Sequence, residues 1–230
     1  MAAPAPIPAI PVSPFQINPA AVPAPADTIA ALHDIVVSHL SDNLQRLSGM
    51  GSLRRIHGSR KLVGTAVTVK TRPGDNLLIY KALTMMQPGH VLVVDGGGEA
   101  SNALVGELIM LYAQQRGCAG FVLDAAVRDT AAFEAADFPC YARAVAHRGP
   151  YKNGPGHINV PVNIGGQVVN PGDIVVGDED GVVCFPQAQA GSLIAAARKT
   201  QAYEEAIKSE IANGRVEQEW LARVLMPFGL

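Results

Sequence analysis

The chain has 230 residues, 48% of them hydrophobic, and a formal net charge of −2. That supplies one sizeable core, and so small a charge leaves no electrostatic footprint for nucleic acid or an anionic membrane surface. No apolar run reaches the roughly 18 residues needed to cross a bilayer; Cys118, Cys140 and Cys184 show no CxxC spacing and read as buried thiols of a reducing compartment, so the expected location is cytoplasmic.

Residues 1–26 are proline-rich and lack a basic start, which argues against a secretory signal. Repeated proline favours an extended arm, either disordered or lying across a neighbouring subunit, with Ile7, Ile10, Val12, Phe15 and Ile17 to bury. Asp27 is a plausible N-cap for a helix carrying Ile29, Leu32, Ile35, Val36 and Leu40 on one side; His33 and His39 of that helix read as surface residues. Residues 62–70 alternate as a strand, 71–76 make a turn, and 76–87 form a helix stopped by Pro88-Gly89. The runs 90–95 and 120–125 are continuously apolar, as in central strands covered on both faces. Between them come a glycine-rich turn, 95–101, and a helix ending at Gly117. After Phe138 the pattern becomes β-rich: a strand over 138–145, a glycine- and proline-rich loop over 147–161, and two hairpins, one turning at Gly165-Gly166 and one at 178–181. A long helix over 188–212 and a short amphipathic tail follow. The economical reading is a Pro-rich arm (1–26), one α/β/β domain (27–214) and a C-terminal tail (215–230).

Asp95-Gly96-Gly97-Gly98-Glu99-Ala100-Ser101 follows a strand and precedes a helix, where backbone amides and the helix dipole hold an anion. It is open to two other readings, a purely structural turn and a dinucleotide fingerprint with Asp124 ending the next strand. The hairpins of the second half argue against nicotinamide, because βαβ units do not continue. Arg128-Asp129 offers a guanidinium fork for a carboxylate beside an acid at a helix start; a capping Asp with a solvated Arg is the alternative. The histidines show no HxH or HExxH spacing, so zinc is poorly supported. Glu99, Glu107, Asp124 and Asp129 are hard oxygen donors of the kind that select Mg²⁺, Mn²⁺ or Ca²⁺. The acidic run Asp178-Glu179-Asp180-Gly181 reads as a hairpin turn. His147, Arg148, Lys152 and His157 belong to a surface loop that could also meet a second substrate carboxylate.

The ordered segments GDNLLIYKAL, VLVVDGGG, ALVGEL, GFVLDAAVRD, GPGHINVPVNIGG and PGDIVVGDEDGVV resemble the family of the ribonuclease E activity regulator A and the class II 4-hydroxy-4-methyl-2-oxoglutarate/4-carboxy-4-hydroxy-2-oxoadipate aldolases. The likeness covers about residues 30 to 210 of the chain. It implies an α/β/β swivelling sandwich that assembles as a trimer or a pair of trimers, with the site at the subunit interface. It further implies that the backbone of Gly106, Glu107, Leu108 and Ile109, together with Arg128, binds the pyruvate unit of a small 2-oxo acid. By the same resemblance Asp129 is the direct ligand of Mg²⁺ or Mn²⁺, and Glu107 reaches the ion through water. A glutamate from a neighbour's C-terminal helix, Glu204 or as second choice Glu205, completes the site. Aldol cleavage and oxaloacetate decarboxylation are the implied activities; the family's regulators instead bind and inhibit a ribonuclease. One departure is Ala125, where many members carry glycine.

Overall fold

The structure is a computed structural model and describes residues 13–229. Ile7, Ile10 and Val12 of the expected arm lie outside the described residues. Phe15–Ile17 (β1) pairs in parallel with the body of its own chain, so this part of the arm is ordered as a strand. Asn18 and Asn159 exchange side-chain-to-carbonyl hydrogen bonds at 2.9 Å, and the Ala24 N–H donates to the Thr65 hydroxyl at 2.8 Å. These polar ties fix the segment along the sheet edge.

Next come helices α1 (Ala26–His33) and α2 (Val37–Asn43), where one helix was expected. The break follows from the buried Asp178: its Oδ2 accepts the Val37 N–H at 2.7 Å and so caps a second helix start. Asp27 sits inside the first turn of α1, and Pro25 takes the N-cap position. Beyond the two-residue β2 (Arg54–Arg55), β3 (Leu62–Thr71) leads into α3 (Leu77–Leu83), β4 (His90–Val105), α4 (Glu107–Gln115), β5 (Gly120–Val127), α5 (Thr130–Ala135) and β6 (Cys140–Val145). Then follow β7 (Gly156–Ile158), the hairpins β8 (Val162–Ile164)/β9 (Gln167–Val169) and β10 (Ile174–Asp178)/β11 (Gly181–Phe185), α6 (Ala190–Ala212) and α7 (Glu219–Leu225).

β3, β4, β5 and β6 form a parallel core in that order, while β7 and β10 pair antiparallel with different stretches of the far edge of β3. Strand alternation sorts the layers. Leu92 and Val94 face α3, α4 and α5 and pack with Ile79, Met110 and Phe133. Val91 and Val93 face the opposite way, onto Val162, Ile164, Val169 and Val175 of the hairpins. A further cluster seats α1, α2 and the first turns of α6 on β10 and β11 through Leu32, Ile35, Leu40, Val176, Phe185 and Leu193. The architecture is the expected α/β/β sandwich. Gly165 and Gly166 both have positive φ, 55° and 93°, as the tight β8–β9 turn requires. Asp178 is committed to backbone, its Oδ1 taking the Asp180 N–H at 3.0 Å, which agrees with a hairpin turn. The three cysteines are free and buried; burial pushes the Cys118 and Cys184 thiols up to about 12, so these thiols are poor nucleophiles. No helix among the described residues is long and apolar enough to cross a membrane.

The glycine segment departs from expectation. β4 does not end at Asp95; it runs through Gly96, Gly97 and Gly98 to Val105. Positive φ at Gly97 (69°) and Gly98 (73°) produces bulges instead of a turn into a helix. Pairing with β5 jumps from Asp95↔Asp124 to Glu99↔Ala125 and then to Ala103↔Ala126. The following helix therefore begins at Glu107, capped by Gly106.

Candidate active site

That shift moves the amide cradle from Gly96–Gly98 to the start of α4. An α-helix leaves its first N–H groups without intrahelical acceptors. Here the Glu107 N–H is taken by Asp129 Oδ2 at 3.0 Å, which leaves those of Leu108 and Ile109 facing outward with the positive end of the helix dipole. Asp129 occupies the N-cap of α5 in a left-handed conformation, φ 56°. Aspartate is among the few side chains that tolerate it. The bend turns its carboxylate back toward α4 and brings Arg128 alongside, with Nε 3.6 Å from Asp129 Oδ2.

Gly106 is needed here for a close approach. A Cβ at this position would collide with Asp129 Oδ2 and come within 3.0 Å of Arg128 Cγ. Ala125, the residue where glycine is usual, is also explained. It is fully buried opposite Gly96, and a Cβ on Gly96 would lie 2.8 Å from the Ala125 methyl. The methyl group occupies room that Gly96 leaves, and β5 continues to Val127 with a register shift against β6 between Leu123 and Ala126.

Gly106, Leu108, Ile109, Arg128 and Asp129 line one small pocket of about 50 Å³, together with Asn76, Tyr80 and Lys152. It lies where β4 and β5 end, the usual ligand position in an open α/β sheet. Arg128 and Asp129 are each 43% exposed in their side chains, so both remain open to a ligand. Asn76, Tyr80 and Lys152 add features the sequence reading did not bring together. Asn76 is buried; its Nδ2 donates to the Leu104 carbonyl at 2.9 Å, and its Oδ1 has no protein partner. Asn76 could have been found from its place at the end of the 71–76 turn, at the start of α3. Of the loop candidates only Lys152 reaches the pocket, its Nζ 6.0 Å from the Tyr80 ring centroid. His147, Arg148 and His157 do not line it. The loop is held by the buried Asp75, whose Oδ2 accepts the Asn153 and Gly154 N–H groups at 2.6 and 3.0 Å.

The other carboxylates proposed as metal donors are engaged elsewhere. Asp124 pairs with Arg143, whose guanidinium is thereby held above its ordinary value. Asp95, which opens the glycine segment, pairs with Lys70 at 2.6 Å. Glu99 is hydrogen-bonded by the Ser101 side chain and also takes the Ser101 N–H, which together hold its carboxyl below the ordinary range. Glu204 lies on α6 and does not line the pocket of its own chain; its Oε2 is 2.9 Å from His39 Nε2. His39 is thus buried, at 7% exposure, and not a surface residue. Its burial follows from α2 packing against α6, a contact no local pattern records. Glu205 pairs with Lys208 at 2.8 Å.

The donor set suits a hard cation. Among the described residues no three His, Cys, Asp or Glu side chains gather to hold a metal. Asp129 can hold an ion that keeps several waters and takes oxygen atoms from its substrate, as Mg²⁺ does; Glu107 meets Asp129 through its backbone N–H, and the residue is exposed and does not line the pocket. A larger groove of about 570 Å³ between α6 and α7, lined by Tyr203, Ile207 and Trp220, shares none of these residues.

A family model described as RraA-like, Aldolase/RraA, matches residues 33–184. The chain is 35% identical over 206 residues to a protein of Halalkalibacterium halodurans named "Putative 4-hydroxy-4-methyl-2-oxoglutarate aldolase", covering 89% of this chain and 98% of that one. Among solved structures it is similar to the RNA-processing inhibitor RraA from Thermus thermophilis, with a TM-score of 0.62, 31% identity, and coverage of 66% of this chain and 93% of that one. It is likewise similar to Streptomyces coelicolor RraAS2, an RNase ES inhibitor family member, with a TM-score of 0.74, 26% identity, and coverage of 80% and 96%. The matched span contains every residue of the pocket, and the chain belongs to the RraA-like family.

Proposed function

We propose that this chain is a divalent-metal-dependent class II aldolase that releases pyruvate from 4-hydroxy-4-methyl-2-oxoglutarate-type substrates and decarboxylates oxaloacetate. The observation that carries the reading is the convergence of Arg128, Asp129 and the free amides of α4 on one pocket. In this reading Arg128 holds the substrate carboxylate through its planar fork, and the Leu108 and Ile109 amides orient the 2-oxo acid. Asp129 would hold Mg²⁺ or Mn²⁺, with Glu107 acting through water. When bound, the cation supplies Lewis-acid polarisation of the 2-oxo group. Glu107, on the first turn of α4, would hold the water that takes the proton from the substrate's 4-hydroxyl. That hydroxyl oxygen becomes a carbonyl as the C3–C4 bond breaks, and its electrons pass to the pyruvate enolate, which is then protonated at C3. Loss of CO₂ from oxaloacetate gives the same enolate, so the pocket would serve both reactions.

Glu204 enters from a neighbouring subunit in this reading, so the active unit is a homotrimer or a pair of trimers, and it works in the cytoplasm. The curated relative's name supports the aldolase at family level. The alternative, binding and inhibition of a ribonuclease, draws on the printed names of the solved relatives. Pyruvate release assayed with Mg²⁺ separates the two. Turnover lost in Arg128→Ala supports the enzyme, whereas no turnover together with capture of ribonuclease E supports the inhibitor.

A further inference from the structure

The opposite end of the sheet holds a second concavity, of about 450 Å³, that the proposed aldolase chemistry does not use. It lies where β3, β5 and β6 begin, whereas the active-site pocket lies where β4 and β5 end. Three basic side chains, His33, Arg60 and Lys61, meet there over a floor of Val63, Cys118 and Phe138. The floor residues are buried; His33 and Arg60 are exposed at the rim.

No carboxylate lines this cleft. The Arg60 guanidinium has no ion-pair partner among the described residues, and the Lys61 ammonium is turned toward the Ile35 carbonyl. Of the nearby acids, Asp34 follows His33 in the chain and is exposed outside the lining, and three others have backbone or side-chain partners. Asp178 serves the Val37 and Asp180 N–H groups, Glu179 is 3.8 Å from Arg55, and Asp137 accepts the Arg60 backbone N–H. Burial, and after it the charges of Lys61 and Arg60, hold His33 below its ordinary value despite the opposing influence of Asp34. Burial likewise lowers Lys61, although Asp178, Glu179 and Asp34 act the other way. The Arg60 guanidinium and the Lys61 ammonium nonetheless stand beside apolar walls, where a charge acts on an anion more strongly than in open water.

We infer that this cleft binds a small organic carboxylate with an apolar body, its anionic group held by Arg60 and Lys61 and its body laid on Val63 and Phe138. An inorganic anion would leave the apolar floor uncovered, and a neutral apolar molecule would leave the cations without a partner. The site is distinct from the Arg128 pocket and stands whether or not that pocket is an aldolase site. It does share α4, whose first turn forms the active-site pocket and whose Gln114 lines the cleft.

Calorimetric titration of the full chain with 4-bromobenzoate tests this. Wild type and Arg128→Ala bind the probe with equal affinity. The Arg60→Gln/Lys61→Gln variant binds at least about tenfold more weakly, the loss expected for hydrogen bonds to a charged group. Neutral 4-bromobenzyl alcohol binds wild type weakly by the same margin, and inorganic phosphate does not compete at equal concentration. No binding by wild type, equal binding by the double variant, or loss in Arg128→Ala would overturn the inference. Should the double variant fail to fold, Arg60→Gln, at an exposed side chain, replaces it. Anomalous scattering from a soaked crystal gives a second reading: bromine over Val63 and Phe138 supports the site, and bromine only elsewhere refutes it.

Discussion

Asp129 Oδ2 accepts the backbone N–H of Glu107 at 3.0 Å, which ties the left-handed turn after β5 to the first turn of α4. Through this bond the proposed cation ligand and the proposed amide cradle, from separate segments, are positioned as one unit. The bond exists because Gly106 has no side chain to hold the two apart.

Gly106→Ala would therefore damage the pocket more than the fold. Its φ of −156° is ordinary extended backbone, so alanine adds no backbone strain. Its methyl group displaces Asp129 and Arg128 instead. Pyruvate release should fall by about 100-fold, the loss that misplacement of reacting groups by about 1 Å can bring. Thermal unfolding should change little. A large fall in Tm with turnover preserved in the remaining folded protein would contradict this.

Gly96→Ala should have the reverse signature. A methyl group there meets Ala125 Cβ at 2.8 Å, Leu104 Cδ1 at 3.0 Å and the Asp124 carbonyl at 3.2 Å, all inside the sheet. Overpacking of this kind costs about 1–3 kcal/mol, to be measured by urea denaturation. Adding Ala125→Gly should recover much of the loss, since it removes the nearest contact; an additive double variant would speak against a direct clash.

Asp75 is fully buried and accepts hydrogen bonds from the Asn153, Gly154 and Leu77 N–H groups and from the Arg72 guanidinium. Asp75→Ala strands those backbone donors and should destabilise the chain by about 3 kcal/mol. The loop carrying Lys152 should loosen with it. Hydrogen exchange would show faster amide exchange at 150–154, and unchanged protection there would count against this role for Asp75.

His90 sets a pH dependence of stability. The Gln87 N–H donates to its Nδ1 at 2.9 Å, and its Nε2–H donates to the Ala21 carbonyl at 2.9 Å, so the buried ring is held neutral. Burial lowers its value from 6.5, outweighing the Ala21 bond. Below 6.5 the unfolded chain binds a proton that the folded chain does not; stability is full above that pH and falls as pH drops toward the lowered folded value. His33 is lowered as well and acts in the same direction. Thermal unfolding followed between pH 7.5 and 5.5 should show a falling Tm, with a shallower fall in His90→Gln. An equal slope in both would assign the effect elsewhere.

Much of this fold is written in local pattern. Continuous apolar runs mark β4 and β5, glycine pairs mark the β8–β9 turn, and Arg128-Asp129 stands out as a charged pair directly after a buried strand. Three features escaped because they depend on pairing across the sequence. The triple glycine looks like a strand-to-helix turn, but Ala125 on the next strand makes Gly96 a packing position and keeps β4 extended to Val105. The helix expected to run past Ile35 is split by Asp178, 141 residues away from the Val37 N–H that it accepts. His39 seemed solvated because its partner, Glu204, is 165 residues distant. Asn76 is marked locally only as the residue that opens α3, while the lone buried oxygen it brings to the pocket wall is set by tertiary packing.

The most direct measurement is pyruvate release from 4-hydroxy-4-methyl-2-oxoglutarate by wild type, with Mg²⁺ and with EDTA, beside Arg128→Ala and Asp129→Asn. Turnover that requires the metal and falls in both variants by at least about 100-fold, the size of effect expected from losing a preorganised electrostatic contact, is the predicted result. Turnover undiminished by EDTA or by either substitution, or none in wild type at saturating Mg²⁺ with this substrate and with oxaloacetate, would contradict it.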